Sequence, residues 1–456
     1  MRYISSTVRW MGVLILLLAY GNAFVDRQIL ALLVAPIRAD LQISDTQFSL
    51  LIGFAFAVFY SLFGIPIGRW TDRGDRPTIL AAGMALWSLF TCLCGLSWNF
   101  LQLFISRMGV GVGEATVVPV AYSLLADYFT AERRGLALGC FGSGVYLGLG
   151  GAMLVGGLLV AKLETVGTIE LSILGALHPW QTVLLIVGVP GIALSLLARL
   201  LAEPRRYSGV RGPIGDRGPE QMATSAGAYY RRAALGISLH HLTVAFMAMV
   251  LYAVTAWGPE HFRRTFGLAP SHIGPWIGTI ILAAGTVGVL AGGAGSDFLI
   301  RRNVKSARLV VLFIASLVAL PFSCAFALGA SSRVALVGLG GTILCISTLT
   351  SAGAAGVQEL LPATLRGLGA AIFQLTVNLV ALSMGPALVA FVTDYVFKDD
   401  QKLALALGAT VPVMLMASAF LAGIGIKSYA KVTALACTQE PLLRDSGSAP
   451  HLSDLR

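Results

Sequence analysis

The sequence predicts an all-α membrane protein of twelve transmembrane helices in two pseudo-symmetric six-helix bundles, and three observations carry that expectation. Of 456 residues, 56% are apolar and only 12% charged, whereas a soluble domain carries about a quarter charged residues. The apolar residues come in blocks, each long enough to cross about 30 Å of hydrocarbon as a helix. Short polar signatures from the first half of the chain then recur in the second. Helices rather than open strands follow because lipid offers no partner to an unpaired backbone group.

Taken in order, the blocks place spans over 10–34, 46–68, 78–97, 100–126, 134–161 and 180–200, and again over 233–258, 272–297, 307–329, 333–360, 366–395 and 403–427. The first has the look of a signal peptide, with Arg9 ahead of Leu14–Ala19, but it runs on through Asn22, Asp26 and Arg27 without a cleavage site. The polar stretch 202–232, rich in Arg, Gly and Pro, reads as a linker. The expected units are therefore bundles over 1–201 and 233–427, the linker 202–232 and a polar tail over 428–456.

A net charge of +10 invites a nucleic-acid reading, so the placement of the basic residues decides its meaning. Of 32 Lys and Arg, 23 fall at the termini and in the even-numbered connections, seven on the opposite side, and two, Arg27 and Arg107, inside spans. By the positive-inside rule both termini are cytoplasmic, in a plasma or inner membrane. The basic balance then reflects topology and anionic lipid, not nucleic acid.

Two loop signatures define the repeat. Gly68, Asp72 and Arg76 stand at the same spacing as Gly293, Asp297 and Arg301, and Glu132-Arg133-Arg134-Gly135 has its counterpart in Thr364-Leu365-Arg366-Gly367. Offsets of 225 and 232 residues indicate one six-helix unit used twice.

Gly68-x-x-x-Asp72-Arg73-x-x-Arg76 is similar to the loop 2–3 signature of the major facilitator superfamily, and Gly293-x-x-x-Asp297-x-x-x-Arg301 resembles its second copy. The departures are Asp75, where the family usually has Gly, and Phe298, where a basic residue is common. The resemblance covers nearly the whole chain and implies that family's fold. A carboxylate at a helix end facing arginines across the half-interface forms charge-assisted bonds in one conformation and loses them in the other. The expected gate set is Gly68, Asp72, Arg73, Arg76, Arg134, Gly293, Asp297, Arg301, Glu359 and Arg366.

Ionisable groups at membrane depth cost at least a few kcal/mol each, so they pair or line a wet cavity. Asp26 and Arg27 lie roughly 25 Å of helical rise beyond Arg9, while Arg107 and Glu114 lie roughly 10 and 20 Å in from the outer end of the fourth helix. Two acids and two bases at neighbouring depths predict a buried, neutralised cluster. The segments around these four residues resemble those of the spinster branch and of neighbouring organic-anion symporters. That resemblance implies proton coupling through Asp26 and Glu114, an anionic substrate group at Arg27 with Arg107 beside it, and cargo such as a lysophospholipid or sphingolipid.

The second half offers Tyr252 and Trp257 on the seventh helix and Gln374 and Asn378 on the eleventh as candidate contacts for an apolar tail. His240 and His241, near the cytoplasmic end of the seventh helix, read as surface or interhelical residues rather than ligands, and the six cysteines as small packing residues. Gly109-x-Gly111-x-Gly113 lies inside a span with no preceding strand, so it is no dinucleotide motif. No Ser/His/Asp set, His-rich metal cluster or Walker loop argues for an enzyme.

The expected function is a monomeric, proton-coupled secondary transporter working by alternating access. It needs no cofactor beyond the proton gradient, and its partners are a small-molecule or lipid substrate and the surrounding membrane lipid. Proton symport of small organic or sugar acids, and multidrug efflux, stand as alternatives.

Overall fold

The computed structural model describes residues 5–71, 73–171, 175–204, 219–362 and 365–439; the side chains at 131, 132, 134, 135, 219–226, 366–368 and 437–439 fall outside the description. Twelve helices among these residues are long and apolar enough to span a membrane. In the first half they are α1 (Ser6–Leu32), α2 (Asp45–Thr71), α3 (Arg76–Gly95), α4 (Phe100–Tyr128), α5 (Leu136–Val166) and α6 (Pro179–Ala198). In the second they are α7 (Gly227–Phe266), α8 (Pro270–Arg301), α9 (Ala307–Leu328), α10 (Ser332–Leu360), α11 (Gly369–Phe397) and α12 (Asp400–Ala436).

Each span matches one apolar block of the sequence, because hydropathy and length are what define both. Local sequence sets the ends. Asp75 caps α3 through the Thr78 amide, with Pro77 in its first turn, and Asn99 caps α4 through the Gln102 amide. Two expectations need correction. The linker over 202–232 is helical from Pro219 on, in a helix that runs unbroken to Phe266, and the tail expected from 428 continues α12 as helix to Gln439. Those extensions are long because α7 and α12 pack along each other, with the backbone at Ser428 crossing Gly236. A short hairpin, β1 (Ile169–Leu171) with β2 (Gly175–Leu177), joins α5 to α6.

The halves pack alike: α3 lies on α6 and α4 as α9 lies on α12 and α10. Between the halves the main seams are α5 with α8 and α2 with α11. Glycine makes the first seam possible. A Cβ on Gly278 would stand 2.6 Å from the Gly150 carbonyl oxygen, and one on Gly274 would stand 2.7 Å from that of Met153. The Gly111 and Gly113 pair serves packing in the same way, letting α4 approach the backbones of α2 at Phe56 and of α3 at Gly83 and Trp87.

Several spans are interrupted at mid-depth. The α-helical part of α1 ends at Gln28 and tightens to a 3₁₀ turn over Ile29–Leu32. α4 breaks after Glu114 and resumes at Val117, and α10 breaks at Ser347, the equivalent position on the 232-residue offset. α11 widens to a π turn over Asn378–Leu382. Such interruptions are where helical membrane proteins expose backbone and side-chain groups to a central site.

Candidate functional site

The break in α1 and the break in α4 meet. Arg27, in the last α-helical turn of α1, donates to Glu114, the last residue before the α4 break, with Nε 2.7 Å and Nη2 2.6 Å from the same oxygen, Oε2. The second carboxylate oxygen, Oε1, is buried with no hydrogen-bond partner. Around the guanidinium stand the rings of Phe56 at 4.3 Å, Phe24 at 4.7 Å and Tyr60 at 5.1 Å, measured to their centroids. The hydroxyls of Tyr60 and of Tyr252, the latter from α7 in the other half, also face Arg27. The Arg27 side chain keeps 11% of its surface exposed while Glu114 keeps none. Arg27 is thus the charged group of this pair that a solute can reach.

Of the four charges only Arg27 and Glu114 are joined by an ion pair, while Arg107 acts on both Asp26 and Glu114 through space. Asp26 is 1% exposed and both its carboxylate oxygens lack a partner; Arg107 is 2% exposed, with Nε and Nη2 likewise unpartnered and its guanidinium 5.5 Å over Phe56. The reason is helical geometry. Consecutive residues point about 100° apart, so with Arg27 turned to α4, Asp26 is turned to α3, where Thr91 and Trp87 face it.

The candidates in the second half separate in the same way. Tyr252 faces the site. Trp257 does not: it is fully buried, its indole Nε1 donates to the Pro386 carbonyl at 2.9 Å, and its ring meets Phe48 of α2 edge-on, so it is a strut of the bundle. Asn378 is buried in the π turn of α11 and Gln374 is half-buried one turn earlier. His240 and His241 are buried with their Nδ1 atoms 3.4 Å apart, beside Phe373 of α11.

At the face bearing the termini, the predicted gate residues engage partners within their own halves. Arg76, almost wholly buried, binds Asp127 at 2.6 Å and Glu203 at 2.7 Å, and Glu359 accepts from Arg308 and, at 2.9 Å, from the Tyr429 hydroxyl. Arg73, Asp297 and Arg301 are exposed, and Gly68 and Gly293 have room for a Cβ. Asp72 and the side chains of Arg134 and Arg366 lie outside the described residues.

The opposite face carries a set that sequence reasoning missed. Arg264 of α7 binds both oxygens of Asp45 at the start of α2, 2.6 and 2.7 Å away, and also Glu260. Arg38 bridges Asp45 and Asp400, each at 2.8 Å, and Asp394 accepts from the Thr46 amide at 2.7 Å. Every one of the contacts to Asp45 from Arg264, to Asp400 from Arg38 and to Asp394 from Thr46 crosses between the halves. The available signal was the few basic residues on the side that should be poor in them: Arg38 and Arg264 belong there because carboxylates hold them.

Two six-helix bundles closed over a half-buried cation by ion pairs at one face define a membrane transporter. Residues 16–396 match the Major Facilitator Superfamily, and the chain belongs to that family. It is 28% identical to an MFS-type efflux pump of Mycolicibacterium smegmatis, covering 86% of each chain. To a probable L-galactonate transporter of Escherichia coli it is 23% identical over 74% of this chain and 72% of that one. To protein spinster homolog 1 of Xenopus tropicalis it is 26% identical over 90% and 78%. The crystal structure of a bacterial homolog of the human lysosomal transporter Spinster, inward-facing and unoccupied, superposes with a TM-score of 0.75 at 24% identity, covering 96% of this chain and 99% of that one.

Proposed function

We propose that this transporter moves an amphipathic organic anion, of the lysophospholipid or sphingolipid type, by alternating access coupled to a proton. The carrying observation is the Arg27–Glu114 pair, in which both guanidinium nitrogens hold Oε2 while Oε1 has no partner. An arriving anion competes with Glu114 for Arg27. Once Glu114 is released its charge is uncompensated in a buried site, and protonation is the cheapest relief. Proton and anion then bind together and leave together. Phe24, Phe56 and Tyr60 give the anion an apolar wall next to the cation.

With the termini cytoplasmic, as the basic residues indicate, the Asp45–Arg264 set closes the outer face and the conformation is inward-facing. A second reading has one specific support: the hydroxyls of Tyr60 and Tyr252 directed at Arg27 suit a polyhydroxylated sugar acid as well as a lipid headgroup.

Uptake into proteoliposomes under an imposed proton gradient tests both readings. Gradient-driven uptake of a lysophospholipid, with none of a hexuronate, supports the lipid reading; the reverse supports the sugar acid. Uptake of either that ignores the proton gradient overturns the coupling.

A further inference from the structure

We infer that the cavity between the start of α9, the end of α10 and the extension of α12, on the face bearing the termini, is a binding site for a phosphate-class oxyanion. It encloses about 630 Å³, and its walls include Lys305 and Arg308 around the start of α9, Ala355 and Glu359 of α10, and Thr433 and Ala436 of α12. The internal repeat indicates what such a place holds. On the 232-residue offset Arg308, Ala355 and Glu359 correspond to Arg76, Ser123 and Asp127 of the first half. One ion pair is kept in both copies: Arg76 Nη1 lies 2.6 Å from Asp127, and Arg308 Nε donates to Glu359.

The rest of the arginine's surroundings differs. In the first half Glu203, on the segment after α6, accepts from Arg76 Nη2 at 2.7 Å, from Nε at 2.9 Å and from the Arg76 backbone amide at 3.0 Å, and Ser123 accepts from Nη1 at 2.9 Å. In the second half alanine stands in place of that serine, and the residues that α12 lends the cavity, Thr433 and Ala436, carry no carboxylate. The Thr433 hydroxyl donates to the Ala430 carbonyl. Both Nη groups of Arg308 and its backbone amide therefore have no acceptor among the described residues. Donors that grip a carboxylate in one copy line a cavity in the other.

Charge and size select the ligand. Glu359 is already held by Arg308 and, at 2.9 Å, by the Tyr429 hydroxyl, so its charge is offset. Lys305 is exposed and has no ion-pair partner among the described residues, which leaves the cavity with a net positive charge. The volume exceeds what a single carboxylate needs, and a guanidinium, an ammonium and a backbone amide at a helix start together match the several oxygens of a phosphate. Ile300, Val304 and Leu361 add an apolar side. The headgroup of an anionic lipid and free phosphate present the same group to these donors. Bound there, the oxyanion completes the contacts of Arg308 as Glu203 completes those of Arg76.

Thermal melts of the full chain in a non-ionic detergent test the site and separate the two sources. Inorganic phosphate is compared with chloride at equal ionic strength and pH, and phosphatidylglycerol with phosphatidylcholine at equal lipid concentration. A saturable rise in Tm is expected with phosphate, with phosphatidylglycerol or with both, and none with chloride or phosphatidylcholine. A rise with phosphatidylglycerol alone assigns the site to lipid, one with phosphate alone to the free anion, and one with both to the phosphate group as such. Lys305→Gln leaves the Arg308–Glu359 pair in place and should raise the apparent Kd about tenfold. No rise with either probe overturns the proposal, as does an equal rise with phosphatidylcholine or an undiminished response in Lys305→Gln. Binding at Arg27 in the central site would survive Lys305→Gln, so that variant also tells the two sites apart. The comparison on the unaltered chain decides even if the variant fails to fold.

Discussion

The two halves share an architecture and differ in chemistry. On the 232-residue offset Arg107 and Glu114 of α4 correspond to Leu339 and Ile346 of α10, both buried, and on the 225-residue offset Asp26 and Arg27 correspond to Leu251 and Tyr252. The helix break after Glu114 nevertheless recurs in α10 at Ser347. Backbone geometry has thus been kept in both copies while the ionisable groups stay in one. The lesson is that the break does not exist for the sake of the charges: it recurs in both halves, and the first half alone lines it with ionisable groups. The second half contributes the Tyr252 hydroxyl, whereas the rings of Phe24, Phe56 and Tyr60 around Arg27 also come from the first half.

The largest effect should come from erasing that difference. Ile346→Glu buries a carboxylate where α10 has no cation, at a cost of several kcal/mol, and should leave little folded protein in the membrane by fluorescence size-exclusion chromatography. Next, Arg264→Ala strips Asp45 of its partner across the halves and Glu260 of one of its two arginines. Breaking a buried pair costs about 3–5 kcal/mol, so the population should move toward opening at the face opposite the termini. A cysteine placed at Phe48 then reacts with an impermeant maleimide at least about tenfold faster than in the parent. An unchanged labelling rate would show that the seams α5–α8 and α2–α11 hold the closed state without the ion pairs.

Glu114→Gln keeps a hydrogen bond to Arg27 but removes the carboxyl that carries the proton in the proposed cycle, so stability should fall by only about 1–3 kcal/mol while proton-driven uptake disappears and counterflow survives. Smallest of all, Tyr252→Phe removes one hydroxyl from the second half and should raise the KM for the cargo about 3-fold to 10-fold with little change in maximal rate. An equal or larger loss than in Glu114→Gln would mean that the halves are chemical equals after all.

Much of this was legible in the chain. The spans, their number and the internal repeat follow from hydropathy and from Gly68, Asp72, Arg76 with Gly293, Asp297, Arg301, because those depend on composition and spacing. Asp26, Arg27, Arg107 and Glu114 stood out for being expensive in lipid. What they do to one another did not. Trp257 read as a substrate contact because an aromatic near a helix end gives no sign of whether it faces a cavity or, as here, the Pro386 carbonyl. Asp45 and Asp394 carry no sign of their role in the sequence because their partners, Arg264 and the Thr46 amide, are 219 and 348 residues away.

By itself, then, the sequence determined a membrane protein of twelve helices in two related halves, since burial in lipid is written one residue at a time. Only the tertiary structure decided that Arg27 holds Glu114 while Asp26 turns to Thr91 and Trp87, and that Arg264 locks the face opposite the termini. The physical reason is that pairing depends on the direction in which each side chain leaves its helix and on which helix lies there. A rotation of about 100° between neighbouring residues separates a paired arginine from an unpaired aspartate.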